Sequence, residues 1–188
     1  MSSKILKNFI WRFAERCGAQ LVTFIVSIVL ARILSPEDYG TIVLVTVFTA
    51  ILQVFVDSGL GTALIQKKDA DDLDFSSVFY FNFFVCLVLY AFMFITAPYI
   101  AKFYNDTTLT PVVRVLSLTI VIAGVKGIQQ AYVSRNMLFK RFFFSTIGGT
   151  IFSAFLGIAM ACAGFGVWSL VAQQLSNAAI DTLILWCT

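Results

Sequence analysis

Charged and amide side chains inside long apolar segments are the residues of this sequence with the clearest capacity for chemistry. A polar group facing hydrocarbon is costly, so such side chains usually face a cavity or another helix. Four segments place them on one helical face each, at about 100° per residue. The residues predicted to line a polar cavity are Arg12, Arg16, Gln20, Gln53, Asp57, Lys126, Gln130, Gln173, Asn177 and Asp181.

Each aligned face also contains smaller polar residues. The first comprises Arg12, Arg16, Gln20, Thr23 and Ser27, with Glu15 at its edge. The second comprises Thr46, Thr49, Gln53 and Asp57, and the fourth Thr119, Lys126 and Gln130, with Ser134 close by. The sixth comprises Ser169, Gln173, Asn177 and Asp181. In the fifth segment Thr146, Thr150, Ser153 and Gly157 form a small-residue stripe, which favours close packing against another helix.

The charges of this cavity indicate a weak preference for an anionic ligand. The basic residues are Arg12, Arg16, Arg114 and Lys126, and the acids that could face them are Glu15, Asp57 and Asp181. Two structural interpretations stay open beside the binding one. Asp57 and Lys126 could neutralise each other as a structural pair, and Arg12, Glu15 and Arg16 could lie at the lipid headgroups, where long basic side chains snorkel.

The composition argues against hydrolytic and metal-dependent chemistry. The chain has no His, which removes the commonest general base and metal ligand. Its cysteines, at positions 17, 86, 162 and 187, form no CxxC pair and lie in apolar stretches, as small buried hydrophobic residues do. We therefore predict that the protein is not an enzyme, uses no cofactor or metal, and has no nucleic-acid partner.

The segments that carry these residues are long enough to cross a membrane. The chain is 60% hydrophobic and 12% charged, with a mean hydropathy of +0.91, whereas a soluble domain is about 25% charged. A bilayer core needs about 20 residues of helix. The predicted helices are about 12–34, 39–65, 75–101, 111–134, 143–163 and 167–187. This pattern predicts an all-α, polytopic membrane protein with one six-helix domain over 1–188. Its third helix has Asn82 and little other polarity, so it is the best candidate for a peripheral, lipid-exposed helix.

The basic residues predict the orientation of this domain. Nine of the thirteen Lys and Arg lie in the N-terminal flank and first turn, the second loop and the fourth loop. The opposite side has Arg32 and Lys102. Because cytoplasmic loops carry the excess of Lys and Arg, both termini are predicted to be cytoplasmic. The basic start leads into a charged, amphipathic turn with no small-residue cleavage site, so we interpret it as a retained helix.

Three segments resemble one family of membrane transporters. Residues 30–40 (LARILSPEDYG) resemble the first periplasmic turn of Wzx-like polysaccharide-export flippases, within the multidrug/oligosaccharidyl-lipid/polysaccharide exporter superfamily. Residues 57–66 (DSGLGTALIQ) resemble the end of that family's second helix, and residues 135–141 (RNMLFKR) the loop after its fourth. The segments occur in the family's order and spacing, and the resemblance covers about 5–188.

The resemblance implies a translocase of the bacterial inner membrane. Such a protein moves an undecaprenyl-pyrophosphate-linked oligosaccharide to the periplasmic leaflet by alternating access, for surface polysaccharide biosynthesis. Its 12–14 helices form two lobes around a polar cavity, while membrane lipids surround the prenyl tail. The present chain would supply the N-terminal lobe, so its partners would include a missing C-terminal lobe or a second copy of the chain.

Other functions stay open at this point. An ion-coupled multidrug exporter lobe is the nearest alternative, but such proteins bind organic cations through intramembrane acids, and the cavity candidates here are slightly basic. A membrane enzyme of cell-envelope synthesis would usually need a large extramembrane loop or a His/Asp/Arg cluster. A non-transporting membrane subunit that only binds a partner is the third alternative.

Overall fold

The computed structural model describes residues 2–56, 71–136 and 139–187. Its helices are α1 (Ser2–Ile33), α2 (Pro36–Val56), α3 (Asp72–Tyr104), α4 (Leu109–Leu116), α5 (Leu118–Arg135), α6 (Phe139–Cys162) and α7 (Val167–Cys187). The predicted all-α, polytopic class is thereby confirmed. Part of the predicted second helix, at 57–65, lies outside the described residues, as does the family-like segment 57–66.

Within the described residues, five helical segments are long and apolar enough to cross a membrane. They are Ile10–Ile33, Pro36–Val56, Leu73–Tyr104, Leu109–Arg135 and Lys140–Cys162. The sixth predicted span, α7, is helical over 21 residues but less apolar, because amide, hydroxyl and carboxylate side chains interrupt it. Among these side chains, Asp181 contacts other helices, whereas the hydroxyls of Ser176 and Thr182 donate to carbonyl oxygens of α7 itself.

The observed helices differ from the predicted spans in two ways. Helix α1 begins at Ser2, about ten residues before the apolar run. The fourth predicted span is divided into α4 and α5 at Ser117, whose hydroxyl donates to the Val113 carbonyl oxygen at 2.6 Å. A serine that hydrogen-bonds the preceding turn competes with the helical pattern and often bends the chain.

The most extensive helix packing is that of α6 against α7 and α1. Helix α6 lies between α1 and α7, while α5 lies between α7 and α3, and α2 contacts α4, α5 and α7. A Cβ atom added to Gly149 of α6 would lie 3.1 Å from the Asp181 backbone nitrogen and 3.2 Å from the Asn177 carbonyl oxygen. One added to Gly157 would lie 3.0 Å from the Cβ of Gln173. The packing role predicted for the small residues of this helix is confirmed.

Successive long helices run in opposite directions, and different helix termini meet at the two ends of the bundle. The starts of α1, α3 and α6 and the ends of α5 and α7 meet at one end, which we call the terminal end. There Trp11 packs on Phe143 with ring centroids 5.0 Å apart. At the opposite end, called the turn end, the α1–α2 turn meets the α6–α7 turn: a Cβ at Gly166 would lie 3.1 Å from a carboxylate oxygen of Asp38.

The turn end contains a local capping arrangement that explains part of the LARILSPEDYG segment. Asp38 accepts hydrogen bonds from the Ser35 backbone N–H at 3.2 Å and from the Ser35 hydroxyl at 2.7 Å. The Asp38 N–H donates to the Ser35 hydroxyl oxygen at 3.2 Å. These reciprocal bonds satisfy orphan donors at the start of α2, as a capping box does.

The large apolar core lies mainly toward the turn end. Its fully buried members include Leu30, Val45, Leu109, Val112 and Leu116. A smaller cluster of Val133, Phe142 and Leu185 lies at the terminal end. The polar contacts between helices are concentrated in this terminal half, so one half of the lobe is held by apolar packing and the other contains the charges.

Helix α3 lies at the edge of the bundle, as its low polarity predicts. Its inner face packs on α5 where Cys86 fills the space that a side chain at Gly124 would need, and Asn82 Nδ2 donates to the Gly124 carbonyl oxygen at 3.5 Å. Its outer face exposes aromatic side chains such as Tyr80, Phe81 and Phe84. That surface suits contact with lipid.

Candidate functional site

Two charged clusters lie on different faces of α6, one toward α7 and one toward α1. They are organised by Ser145 and Thr146, consecutive residues whose side chains point about 100° apart on a helix. The Ser145 hydroxyl donates to a carboxylate oxygen of Asp181 on α7. The Thr146 hydroxyl donates to a carboxylate oxygen of Glu15 on α1 at 3.3 Å. One turn of α6 therefore positions an acid from each neighbouring helix.

The first cluster joins α5, α6 and α7. Asp181 accepts hydrogen bonds from the Lys126 ammonium and the Ser145 hydroxyl, one at each carboxylate oxygen. The side chain of Asp181 is 11% exposed and that of Lys126 is 22% exposed. Both charged groups are thus largely buried, and they form an ion pair within the lobe. A pair of this kind is costly to break from one side, because the remaining charge stays buried without compensation.

The second cluster lies nearer the start of α1. An Arg12 Nη1–Glu15 Oε2 contact of 2.9 Å joins residues one helical turn apart. The guanidinium carbon of Arg12 also lies 4.7 Å from the centre of the Phe142 ring on α6, within the range of a cation–π contact. Glu15 is buried. Arg12 and Glu15 therefore contribute to the contact between α1 and α6. Because Glu15 is buried, its side chain does not fit the alternative position at the lipid headgroups.

The structure gives Lys126 a different partner from the one weighed from the sequence. Lys126 pairs with Asp181 on α7, whereas Asp57 lies outside the described residues. Ser145 was not among the residues predicted from the sequence to line the cavity. The feature that could have predicted the Lys126–Asp181 pair is their similar position along the bundle. Both residues lie about two turns from the terminal ends of their helices, so opposite charges on neighbouring helices can meet there.

The expected cationic character of the cavity is reduced by these contacts. Arg12 and Lys126 each have a carboxylate partner, and Arg114 lies against α3, with its guanidinium carbon 4.2 Å from the centre of the Phe94 ring. The expectation that Arg114 joins the other basic residues is therefore wrong, because this stacking turns it toward α3. Arg16 remains as an exposed cation on α1.

The other predicted residues within the described part of the chain lie in four places. Gln173 and Asn177 are half-buried at the α6–α7 contact, beside Gly157 and Gly149. Gln53 is half-buried on α2, and Gln130 is exposed on α5. Gln20 is exposed on α1 with Arg16, on the same helical face as Thr23 and Ser27. The structure thus brings Lys126 and Asp181 into contact and leaves Arg16 and Gln20 on an open polar face. Their binding role stays a prediction.

These features define the class of protein: an all-helical, multi-pass membrane protein with matched charges inside its helices and an open polar face on α1. The chain belongs to the polysaccharide biosynthesis protein family, whose model matches residues 29–188. The family resemblance inferred from the three sequence segments is confirmed by this match.

Named relatives agree with this assignment. The chain is 25% identical to the succinoglycan biosynthesis transport protein ExoT of Rhizobium meliloti, over 94% of the chain and 36% of the relative. It is 31% identical to the teichuronic acid biosynthesis protein TuaB of Bacillus subtilis, over 71% of the chain and 27% of the relative. It is 26% identical to the lipopolysaccharide biosynthesis protein WzxC of Escherichia coli, over 83% of the chain and 32% of the relative.

The chain thus spans about a third of the length of these relatives. No solved structure matches it significantly.

Proposed function

We propose that this chain forms one lobe of a translocase for lipid-linked oligosaccharides in the bacterial inner membrane. The substrate would be an undecaprenyl-pyrophosphate-linked repeat unit, moved to the periplasmic leaflet for surface polysaccharide biosynthesis. Family membership supports this, as does the name of the relative ExoT, a succinoglycan biosynthesis transport protein. In this proposal the protein moves its substrate without chemical conversion.

The observation that carries the proposal is the exposed polar face of α1. Arg16, Gln20, Thr23 and Ser27 are exposed, although they lie in a segment apolar enough to cross a membrane. The hydroxyls of Thr23 and Ser27 donate to carbonyl oxygens of their own helix, at 2.9 and 2.8 Å. The charge of Arg16 and the amide of Gln20 are costly in hydrocarbon, so this face requires a polar counterpart.

A second lobe would supply that counterpart. In repeat-built transporters, two repeats rock against each other around a shared site near the middle of the membrane. The polar face of α1 would form one wall of this site, and a C-terminal lobe or a second copy of the chain would form the other. The coverage of only about a third of each relative fits a chain that provides one such lobe.

Within this wall, Arg16 is the residue best suited to meet a pyrophosphate. Arg12 and Lys126 already face Glu15 and Asp181, so their charges are largely cancelled within the lobe. An arginine guanidinium can bind phosphate oxygens through two parallel hydrogen bonds. Gln20, one turn further along α1, could hydrogen-bond sugar hydroxyls beside it.

The same contacts favour an anionic substrate over the organic cations of a multidrug exporter. The two described intramembrane acids, Glu15 and Asp181, accept hydrogen bonds from Arg12 and Lys126. A carboxylate already paired in this way is poorly placed to attract a cationic drug. The loop and flank cations support a cytoplasmic position for both termini, since Lys and Arg are retained on that side.

The test is complementation of a bacterial strain that lacks its own oligosaccharide flippase. One arm expresses the chain alone, and another adds the C-terminal lobe of the same transporter. We expect surface polysaccharide in the second arm only. Recovery by the chain alone would mean that two identical lobes suffice. No recovery in either arm, with both proteins present in the membrane, would contradict the translocase function and favour a non-transporting subunit.

The role of Arg16 is tested in the arm that recovers export. Arg16→Gln should reduce surface polysaccharide about tenfold, since a charge-assisted contact contributes on the order of 1.5–3 kcal/mol. Arg32→Gln is the matched control, because Arg32 is exposed at the opposite end of the same helix. Equal export by the two variants at equal membrane levels would show that Arg16 does not bind the substrate.

A further inference from the structure

A groove opens between α3, α5 and α7 at the terminal end of the lobe. Its walls include Phe75, Phe79 and Tyr80 of α3, Ile128 and Tyr132 of α5, and Trp186 of α7. Its volume is about 340 Å³. Small-molecule sites in proteins begin at about 300 Å³. The groove is therefore large enough to hold part of a ligand, and it lies on a different surface from the polar face of α1.

Aromatic contacts between helices shape this groove. The rings of Phe75 and Tyr132 meet edge to face with centroids 6.2 Å apart, and those of Phe79 and Trp186 do so at 6.3 Å. Further along, α3 and α5 meet closely at Asn82 and Gly124. The groove is thus closed toward the turn end and open toward the terminal end.

The groove opens sideways as well, toward the surrounding membrane. Tyr80, Tyr132 and Trp186 are among its walls and are also exposed, by 70%, 46% and 47%. Tyr and Trp are enriched where a membrane protein meets the lipid headgroups, because one end of each ring system is apolar and the other is polar. An apolar chain that enters from the bilayer would lie along these rings.

Charged residues of both signs lie next to the groove, on the turn of α5 that follows Tyr132 and on the residues that precede Phe75. The guanidinium carbon of Arg135, at the end of α5, lies 5.9 Å from the centre of the Phe75 ring. Asp71 and Asp74 stand at the start of α3, where the Asp71 N–H donates to an Asp74 carboxylate oxygen at 3.1 Å. The Asp71 side chain is exposed. A headgroup at this position would meet a cation and carboxylates together.

We propose that this groove binds one acyl chain of an ethanolamine phospholipid. The lipid phosphate would face Arg135, and its primary ammonium would donate hydrogen bonds to Asp71. A glycerol headgroup has no cation for the carboxylates, and the quaternary ammonium of choline has no N–H to donate. The mixed charges next to the groove therefore match the ethanolamine headgroup best.

The proposal is tested by photo-crosslinking and does not depend on the proposed transport function. The chain is placed in phosphatidylcholine nanodiscs that contain a small fraction of phosphatidylethanolamine with a diazirine in its acyl chain. After illumination, the labelled peptides are located by mass spectrometry. We expect the adducts to concentrate on residues 75–80 and 128–132 rather than to spread over the lipid-facing surface of the bundle.

Two neighbouring serines provide a matched pair of variants. Ser76 lines the groove and Ser77 does not, and both are exposed on α3. Ser76→Phe should fill the groove and lower the adduct yield about tenfold, while Ser77→Phe should retain it. Size-exclusion chromatography establishes that both variants are folded. Equal yields from two folded variants would overturn the proposal.

The identity of the headgroup is tested by competition and by Asp71→Asn, which keeps a good N-cap residue and removes the charge. Unlabelled phosphatidylethanolamine should compete better than phosphatidylglycerol or phosphatidylcholine, and Asp71→Asn should remove that advantage. Stronger competition by undecaprenyl phosphate would identify a prenyl site instead. Protein–protein adducts at the groove would identify a second copy as its occupant. Either result would overturn the assignment of the groove to an ethanolamine phospholipid.

Discussion

Replacement of Lys126 by methionine tests whether the Lys126–Asp181 pair holds the lobe together. The change keeps most of the length of the side chain and removes its charge, so that among the described residues Asp181 retains the Ser145 hydroxyl as its donor. With Asp181 11% exposed, its carboxylate would stay largely buried without a cation. Removing one partner of a buried pair costs about 3–5 kcal/mol. The 22% exposure of Lys126 places the expected loss near the lower limit, at about 3 kcal/mol.

This loss should be visible as a lower unfolding temperature in detergent, followed by tryptophan fluorescence and by retention of the monodisperse peak. For a chain of this size, 1 kcal/mol corresponds to about 2–4 °C, so Lys126→Met should unfold about 6–12 °C earlier. The double variant Lys126→Met/Asp181→Leu should recover most of that loss, because apolar residues often replace a buried ion pair without a cost.

The stability of the double variant shows whether Lys126→Met destabilises the lobe through the uncompensated charge of Asp181 or through lost packing. If the double variant is less stable than Lys126→Met alone, Asp181 holds the helices together through contacts other than the ion pair. If Lys126→Met unfolds at the same temperature as the parent protein, water or lipid headgroups compensate Asp181, and the burial argument is wrong. Asp181→Asn completes the comparison, since the amide oxygen can still accept the Ser145 hydroxyl without carrying a charge.

Three further predictions follow from the packing and the topology. Gly149→Val should destabilise the lobe by about 1–3 kcal/mol through overpacking against the α7 backbone, and an unchanged unfolding temperature would contradict the close α6–α7 contact. Gly166→Ala should be less stable by about 1–2 kcal/mol because φ is +54° there and Asp38 lies beside it. The control is Gly40→Ala in α2, where nothing lies within 4 Å of the added Cβ, and this variant should be neutral or stabilising. Equal effects of the two substitutions would refute the contact between the α1–α2 and α6–α7 turns. A periplasm-active reporter fused after Asp106 should be active and one fused after Asp72 silent, and the reverse pattern would invert the proposed orientation.

The sequence alone was sufficient for the class and the family of this protein. Apolar runs of spanning length require helices, because backbone groups in hydrocarbon must be satisfied within the segment. This constraint is local, so the helices could be placed from composition. Three short segments in the right order predicted the family, which the match over residues 29–188 confirmed. The close packing of the fifth predicted helix followed from residues such as Thr150 and Gly157.

The pairing of the charges was decided by the tertiary structure. Helical periodicity places Lys126 on a face of its own helix but does not say which helix meets that face. Asp57 and Asp181 were both available in sequence, and the packing of α5 and α6 against α7 brought Asp181 to the lysine. The same packing divided the predicted basic residues into Arg12 and Lys126, which are neutralised, and Arg16, which is exposed. Rotation and contact between helices depend on many side chains at once, so the electrostatics of the site follow from the assembled bundle and not from any single segment.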